Sequence, residues 1–194
     1  MNADAILRVT DALKGRLDRA LKLSKVPGNV FVGPLDDVGA NDAVLILFLY
    51  RVVPNASLRN TERRVLSGDP LSPVLVYRNS LPFDLYFMVT VGSRPDPTHE
   101  LLKALGFVIQ GIQASPDLIG SEVDHDTVRV SLEPLTTEEL SRIWALFPTA
   151  NYRTSIAYLA TPVWMDPSKL EREAKRVVED SLRTGSEVAE GSAP

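Results

Sequence analysis

AVLILFLYRVV, residues Ala43 to Val53, is the stretch from which the fold is read. Its first eight residues are apolar without a break, and the run stops at Arg51. A strand with one wet face alternates apolar and polar residues, whereas a strand covered on both faces does not. The run therefore reads as a central strand with packed layers above and below. It is far shorter than the ~20 residues needed to cross a bilayer. FDLYFMVTV, Phe83 to Val91, is a second strand, rich in aromatic and β-branched residues. The two are expected to lie side by side at the centre of one sheet.

The elements around this pair follow from periodicity and caps. Ile6, Val9, Leu13, Leu17 and Leu21 are spaced by three and four, which predicts an amphipathic helix capped by Asn2 and stopped by Pro27-Gly28. Val30 to Val32 is a short strand. Asp96-Pro97 starts a second helix, His99 to Gln113, apolar round most of its circumference and so expected to be heavily buried. Thr127 to Leu132 alternates as a half-exposed strand. Thr136-Thr137-Glu138-Glu139 is a capping box opening a third helix, whose apolar face is Leu140, Ile143, Trp144 and Phe147. Ser155 to Trp164 is the last strand. Asp166-Pro167 opens a charged helix, Ser168 to about Arg183, with Glu171–Lys175, Lys175–Glu179 and Glu179–Arg183 at i,i+4 spacing. Strands that follow one another without a helix between them predict an α+β fold, a mixed and largely antiparallel sheet with flanking helices. The expected division is a domain over 1–165, the charged helix over 166–184 and a disordered tail over 185–194.

Composition excludes several functions. With 194 residues the chain suits one domain with an appendage. It contains no cysteine, which removes disulfide scaffolds, thiolate zinc sites and cysteine nucleophiles. Its 21 basic and 25 acidic residues leave a net charge of −4 without a basic stripe, a poor match to a nucleic-acid backbone. No secretory signal opens the sequence, so a cytoplasmic site of synthesis is expected. No P-loop, dinucleotide fingerprint, nucleophile elbow or zincin motif occurs. Asp124-His125-Asp126 reads as a solvated loop rather than a metal cluster, and His99 as a surface residue in the first turn of a helix. No catalytic, cofactor-binding or metal-ligating residue is expected, and no cofactor.

One feature is left. Pro54 is followed by a long connection, Asn55 to Ser80, mixing turn residues with Arg59, Arg63 and Arg64, with Arg51 and Arg78 close by. Such a length inside a domain marks a functional arm more often than idle coil. Val74 to Tyr77 is expected to form a short edge strand within it. The arm reads as an exposed loop whose arginines meet an acidic protein partner.

Three stretches together resemble a known family. They are AVLILFLYRVVPNASLRN (Ala43 to Asn60), LPFDLYFMVTV (Leu81 to Val91) followed by a helix carrying HELLKALG, and VRVSLEPLTTEELSRIWALFPTANYRTSIAYLATPVWMD (Val128 to Asp166). In this order they resemble the tail-terminator, or cap, proteins of extracellular phage-tail-like contractile injection systems. The resemblance implies a phage tail-terminator-like fold and a structural role without catalysis. It implies a homo-hexameric ring that ends the inner tube and sheath at the end away from the baseplate. The implied partners are copies of the chain itself, the inner tube protein and the sheath protein, with no nucleic acid and no membrane insertion. The chain would be cytoplasmic during assembly and then part of the particle, which can be released. Arg59, Asn60, Arg63 and Arg64 are the expected protein interface. Two alternatives stay open: the tail terminator of a contractile-tailed bacteriophage, and a small enzyme with an unrecognised site.

Overall fold

A computed structural model describes residues 3–65, 74–77, 79–92, 98–123, 126–167 and 172–174. In chain order these form helix α1 (Ala5–Ser24), strands β1 (Val30–Val32), β2 (Leu45–Pro54), β3 (Arg63–Val65), β4 (Val74–Tyr77) and β5 (Leu81–Val91), helix α2 (Thr98–Ala114), strands β6 (Asp117–Ile119) and β7 (Thr127–Glu133), helix α3 (Thr137–Trp144), and strands β8 (Ser155–Met165) and β9 (Arg172–Ala174). The main sheet has six strands in the order β1-β2-β5-β8-β7-β6. Among the described residues only β1 and β2 run parallel; every other pairing is antiparallel. The architecture is α+β with a mixed, largely antiparallel sheet.

The apolar runs sit where their patterning places them. β2 and β5 are adjacent and interior, with Leu47 opposite Val89 and Phe48 opposite Met88. Leu45, Leu47, Leu85, Phe87 and Val89 face a core shared with Leu13 and Leu17 of α1 and Val108 of α2. Ile46 and Met88 face the other way, into a smaller core built from Leu35, Ala43, Trp144 and Phe147. Cover on both faces lasts only for the first half of β2. Beyond the bulge between Leu49 and Arg51 the strand emerges, and Arg51 and Val52 are exposed.

Gly92, just past β5, marks the tightest approach in this core. Its amide bonds to the Val44 carbonyl at 2.7 Å, and a Cβ placed there would lie 1.7 Å from the carbonyl oxygen of Ala43. Backbone cannot yield as a flexible side chain does. Gly92→Ala should therefore cost at least about 1–3 kcal/mol, the usual range for overpacking. Chemical denaturation measures this, and an unchanged midpoint would show that the strand ends can separate freely.

Helix ends bear out some expectations and correct others. Thr136 caps α3 as a capping box: its hydroxyl accepts from the Glu139 amide at 3.2 Å, and the Glu139 carboxylate accepts from the Thr136 amide at 2.9 Å. The Thr136 amide, and then its hydroxyl donating to the same carboxylate oxygen at 2.8 Å, hold the Glu139 carboxyl below its usual value. Asn2, the expected cap of α1, lies outside the described residues; the position is held by Asp4, whose side chain makes no cap bond. Asp96 and Pro97 also lie outside them. α2 is less buried than its composition suggested. It covers Leu101, Ala104, Leu105, Val108 and Ile112 but leaves Leu102 44% exposed, because it lies outermost and only one side meets α1 and the sheet.

The largest correction concerns the C-terminal segment. Residues 166–184 were expected to form a charged helix, yet Arg172–Ala174 form a strand antiparallel to β4. A helix with a narrow apolar stripe has little to dock, and nucleation is costly without packing. The edge of β4 instead offers ready backbone partners. As a result β4 is the middle strand of a second sheet, β3-β4-β9, and not an edge strand. The rest of the expected helix after Pro167, and the tail over 185–194, lie outside the described residues.

Tyr158 carries an unusual burden. It is 1% exposed in the main core, its hydroxyl has no hydrogen-bond partner among the described residues, and burial pushes its pKa up to about 12. An unsatisfied buried hydroxyl costs about 1–3 kcal/mol. Tyr158→Phe should raise the unfolding midpoint, with a gain of about 1 kcal/mol. A drop would reveal a partner for the hydroxyl.

Candidate assembly surface

The arm leaves the main sheet through a fixed base. The Asn55 amide donates to the Pro82 carbonyl at 2.8 Å, and its side-chain nitrogen donates to Asp84 Oδ1 at 2.9 Å. The Thr161 hydroxyl donates to the same oxygen at 2.5 Å, tying β2, β5 and β8 together at one point. Asn55 Oδ1 accepts from the Leu58 amide at 3.0 Å, the side-chain-to-backbone bond that makes asparagine a turn residue. Leu58-Arg59-Asn60 follows in the turn, with Arg59 and Asn60 exposed.

Strand alternation then splits the next two arginines. Arg64 is 68% exposed and sits 3.7 Å from Glu62, a surface pair worth little. Arg63 is 5% exposed. Its guanidinium pairs with Asp166, whose side chain is 7% exposed, and with Asp126 at 2.6 Å. The Ser80 hydroxyl donates to the second oxygen of Asp166 at 2.6 Å, and the guanidinium lies 6.0 Å from the centre of the Trp164 ring. Arg63 is thus not part of an exposed basic loop, because its neighbours in the fold are carboxylates and its charge is met inside the chain. Asp126 likewise belongs to this cluster and not to a solvated loop, while Asp124 and His125 lie outside the described residues. His99 is exposed, as expected.

Of the four expected interface residues, the fold leaves Arg59, Asn60 and Arg64 on the surface and takes Arg63 inside. Arg51 is exposed, with its guanidinium 5.0 Å from the Tyr86 ring centre, where β2 runs out toward the arm. Arg78 lies outside the described residues. Sequence reasoning missed Asp126 and Asp166 as partners of Arg63. They stand 63 and 103 residues away, and no local spacing connects them. Among the described residues no three His, Asp or Glu side chains converge as a metal site. No helix there is long and apolar enough to cross a membrane.

The sequence model for the Pvc16 N-terminal domain matches residues 8–179, nearly the whole chain. The chain belongs to that family. No curated protein gives a significant match. Among solved structures, this Pvc16 N-terminal domain is similar to the sheath/tube terminator of PVC, an extracellular contractile injection system, seen by cryo-EM in the extended state. The TM-score is 0.55 at 14% identity, over 97% of this chain and 66% of that one. It is also similar to the tube-terminating cap of the anti-feeding prophage, with a TM-score of 0.55 at 16% identity, over 87% of this chain and 59% of that one. The chain therefore spans 66% and 59% of the lengths of those two proteins.

Proposed function

We propose that this Pvc16-family chain is a structural cap that ends the inner tube and sheath of a contractile injection particle at the end away from the baseplate. The observation that carries the reading is the shared fold: 97% of the chain superposes on a sheath/tube terminator. Tube growth is a heterologous, open-ended association, and it stops when a ring offers no surface for the next. A cap of this kind works as a homo-hexameric ring, matching the last tube ring on one face, taking the last sheath ring outside, and doing no catalysis. It assembles in the cytoplasm and stays with the particle.

The exposed end of the arm is the surface assigned to a neighbouring subunit or to the terminal tube or sheath ring. Arg59, Asn60 and Arg64 sit on a turn whose base is pinned by Asn55, so a partner's carboxylates meet preset donors. Arg59→Glu with Arg64→Glu should leave stability within about 0.5 kcal/mol, as for surface changes generally. In particles, the same pair should give uncapped tubes or tubes of irregular length, seen by electron microscopy. Normal, capped tubes would move the contact to the helices or termini. Cryo-EM of particles carrying a tagged copy tests the location itself: density for the tag at the baseplate or along the sheath would refute the cap reading.

A further inference from the structure

The small sheet β3-β4-β9 is assembled from two distant parts of the chain. β3 and β4 belong to the arm, and β9 comes from beyond the last strand of the main sheet. Among the described residues β9 pairs with β4 alone, through three positions: Val74 with Ala174, Leu75 with Glu173, and Val76 with Arg172. The hairpin that receives it is anchored without it. Arg63 is fixed on Asp166 and Asp126, Ser80 holds Asp166, and Val76 is buried. If β9 left, the hairpin would stay in place with the edge of β4 bare, and a bare edge invites another strand.

From these observations we infer that β9 is exchanged between copies in the assembled ring, each subunit laying its β9 on the β4 edge of its neighbour. The inference rests on the ring reading above. The occupant is a second copy because complementarity is already displayed: the strand that fits this edge within one chain fits the same edge of an identical one. Exchange between identical chains re-forms the same bonds, so it costs little, and in a closed ring every edge is filled. Asp166 is the fixed point from which the strand departs. Residues 167–171 separate it from β9, so six Cα-to-Cα steps lead from Asp166 to Arg172, a reach of at most roughly 22 Å. The accepting edge must therefore lie within that radius of the neighbour's Asp166. In a free monomer the chain's own β9 fills the edge. In a ring the neighbour's strand arrives at a high effective concentration and competes for it.

The chain lacks cysteine, so introduced thiols report only on each other. Leu75 and Glu173 are register partners, and such Cα separations lie within the range a disulfide spans. The doubly substituted chain, Leu75→Cys with Glu173→Cys, should link internally when oxidised as a dilute monomer. Oxidised as an oligomer, it should give a ladder of covalently joined chains on a non-reducing gel. Mixed oligomers of Leu75→Cys chains with Glu173→Cys chains should give joined pairs that neither variant gives alone. Oligomers, sized by light scattering, in which the double variant links only internally would overturn exchange and leave the ring standing. A chain that stays monomeric at every concentration would overturn both. A double variant that forms no disulfide in any state would show that β4 and β9 do not pair, and would also end the proposal.

Discussion

Leu47→Asp should abolish cooperative folding. Leu47 is fully buried in the first half of β2, opposite Val89, in the core shared by α1 and α2. The change removes a side chain whose burial contributes about 1.5–3 kcal/mol. It also places a carboxyl among apolar groups, where it must either stay charged without a partner or take up a proton as an unsatisfied polar group. Either state costs several kcal/mol more. The sum approaches the whole ~5–15 kcal/mol that keeps a domain folded. Loss of a sigmoidal thermal transition by circular dichroism is the expected readout. A folded variant with a midpoint near the parent's would mean that β2 is not central. Val52→Asp is the internal control: it lies on the same strand beyond the bulge, is exposed, and should cost far less.

That contrast between two positions on one strand shows what the sequence makes legible. The absence of alternation in Ala43 to Tyr50 is a direct consequence of two covered faces, so β2 could be placed from residues alone. The capping box at Thr136 was readable for the same reason, since donor and acceptor lie three residues apart. Where the determinant is remote, the pattern misleads. The i,i+4 charges after Asp166 suit a helix, but each such pair is worth only about 0.2–0.5 kcal/mol. Residues Arg172–Ala174 instead follow the backbone partners offered by β4, about a hundred positions earlier. α2 shows a subtler case: composition reported how apolar the helix is, but not that it lies outermost with a single neighbouring layer.

The arm was legible as an unusual connection, and its exposed arginines as a surface, but not its internal order. Arg59, Arg63 and Arg64 look alike in sequence. What separates them is strand alternation at β3 and two carboxylates brought in from the loop before β7 and the end of β8. A buried arginine with distant acidic partners has no local signature, because nothing in the residues near Arg63 announces Asp126 or Asp166. Family resemblance pointed to the cap role without the residues that carry it, and the fold then sorted the four candidates by exposure.

Arg63→Met should behave unlike either exposed arginine. The substitution keeps most of the side-chain volume and removes the guanidinium from Asp166 and Asp126. Removing one partner of a buried ion pair usually costs about 3–5 kcal/mol, because the remaining charge keeps its desolvation penalty without its counter-ion. Here one cation serves two carboxylates, of which Asp166 at 7% exposure has little access to water. The Ser80 hydroxyl still bonds to Asp166, but a neutral donor offsets less than a charged one. The loss should first be felt where Arg63 does its joining, between the arm and the ends of β7 and β8. Hydrogen exchange should therefore quicken in β3 and β4 before it does in β2 and β5, and the unfolding midpoint should fall. Arg63→Met combined with Asp166→Asn should recover part of the loss, since the least solvated carboxylate is then neutral. If Arg63→Met matches the parent in midpoint and in exchange of the arm, the cluster is not what holds the arm to the sheet. In that event Arg63 would rejoin Arg59 and Arg64 as a surface residue, and the triple reversal to glutamate would become the proper test of the arm.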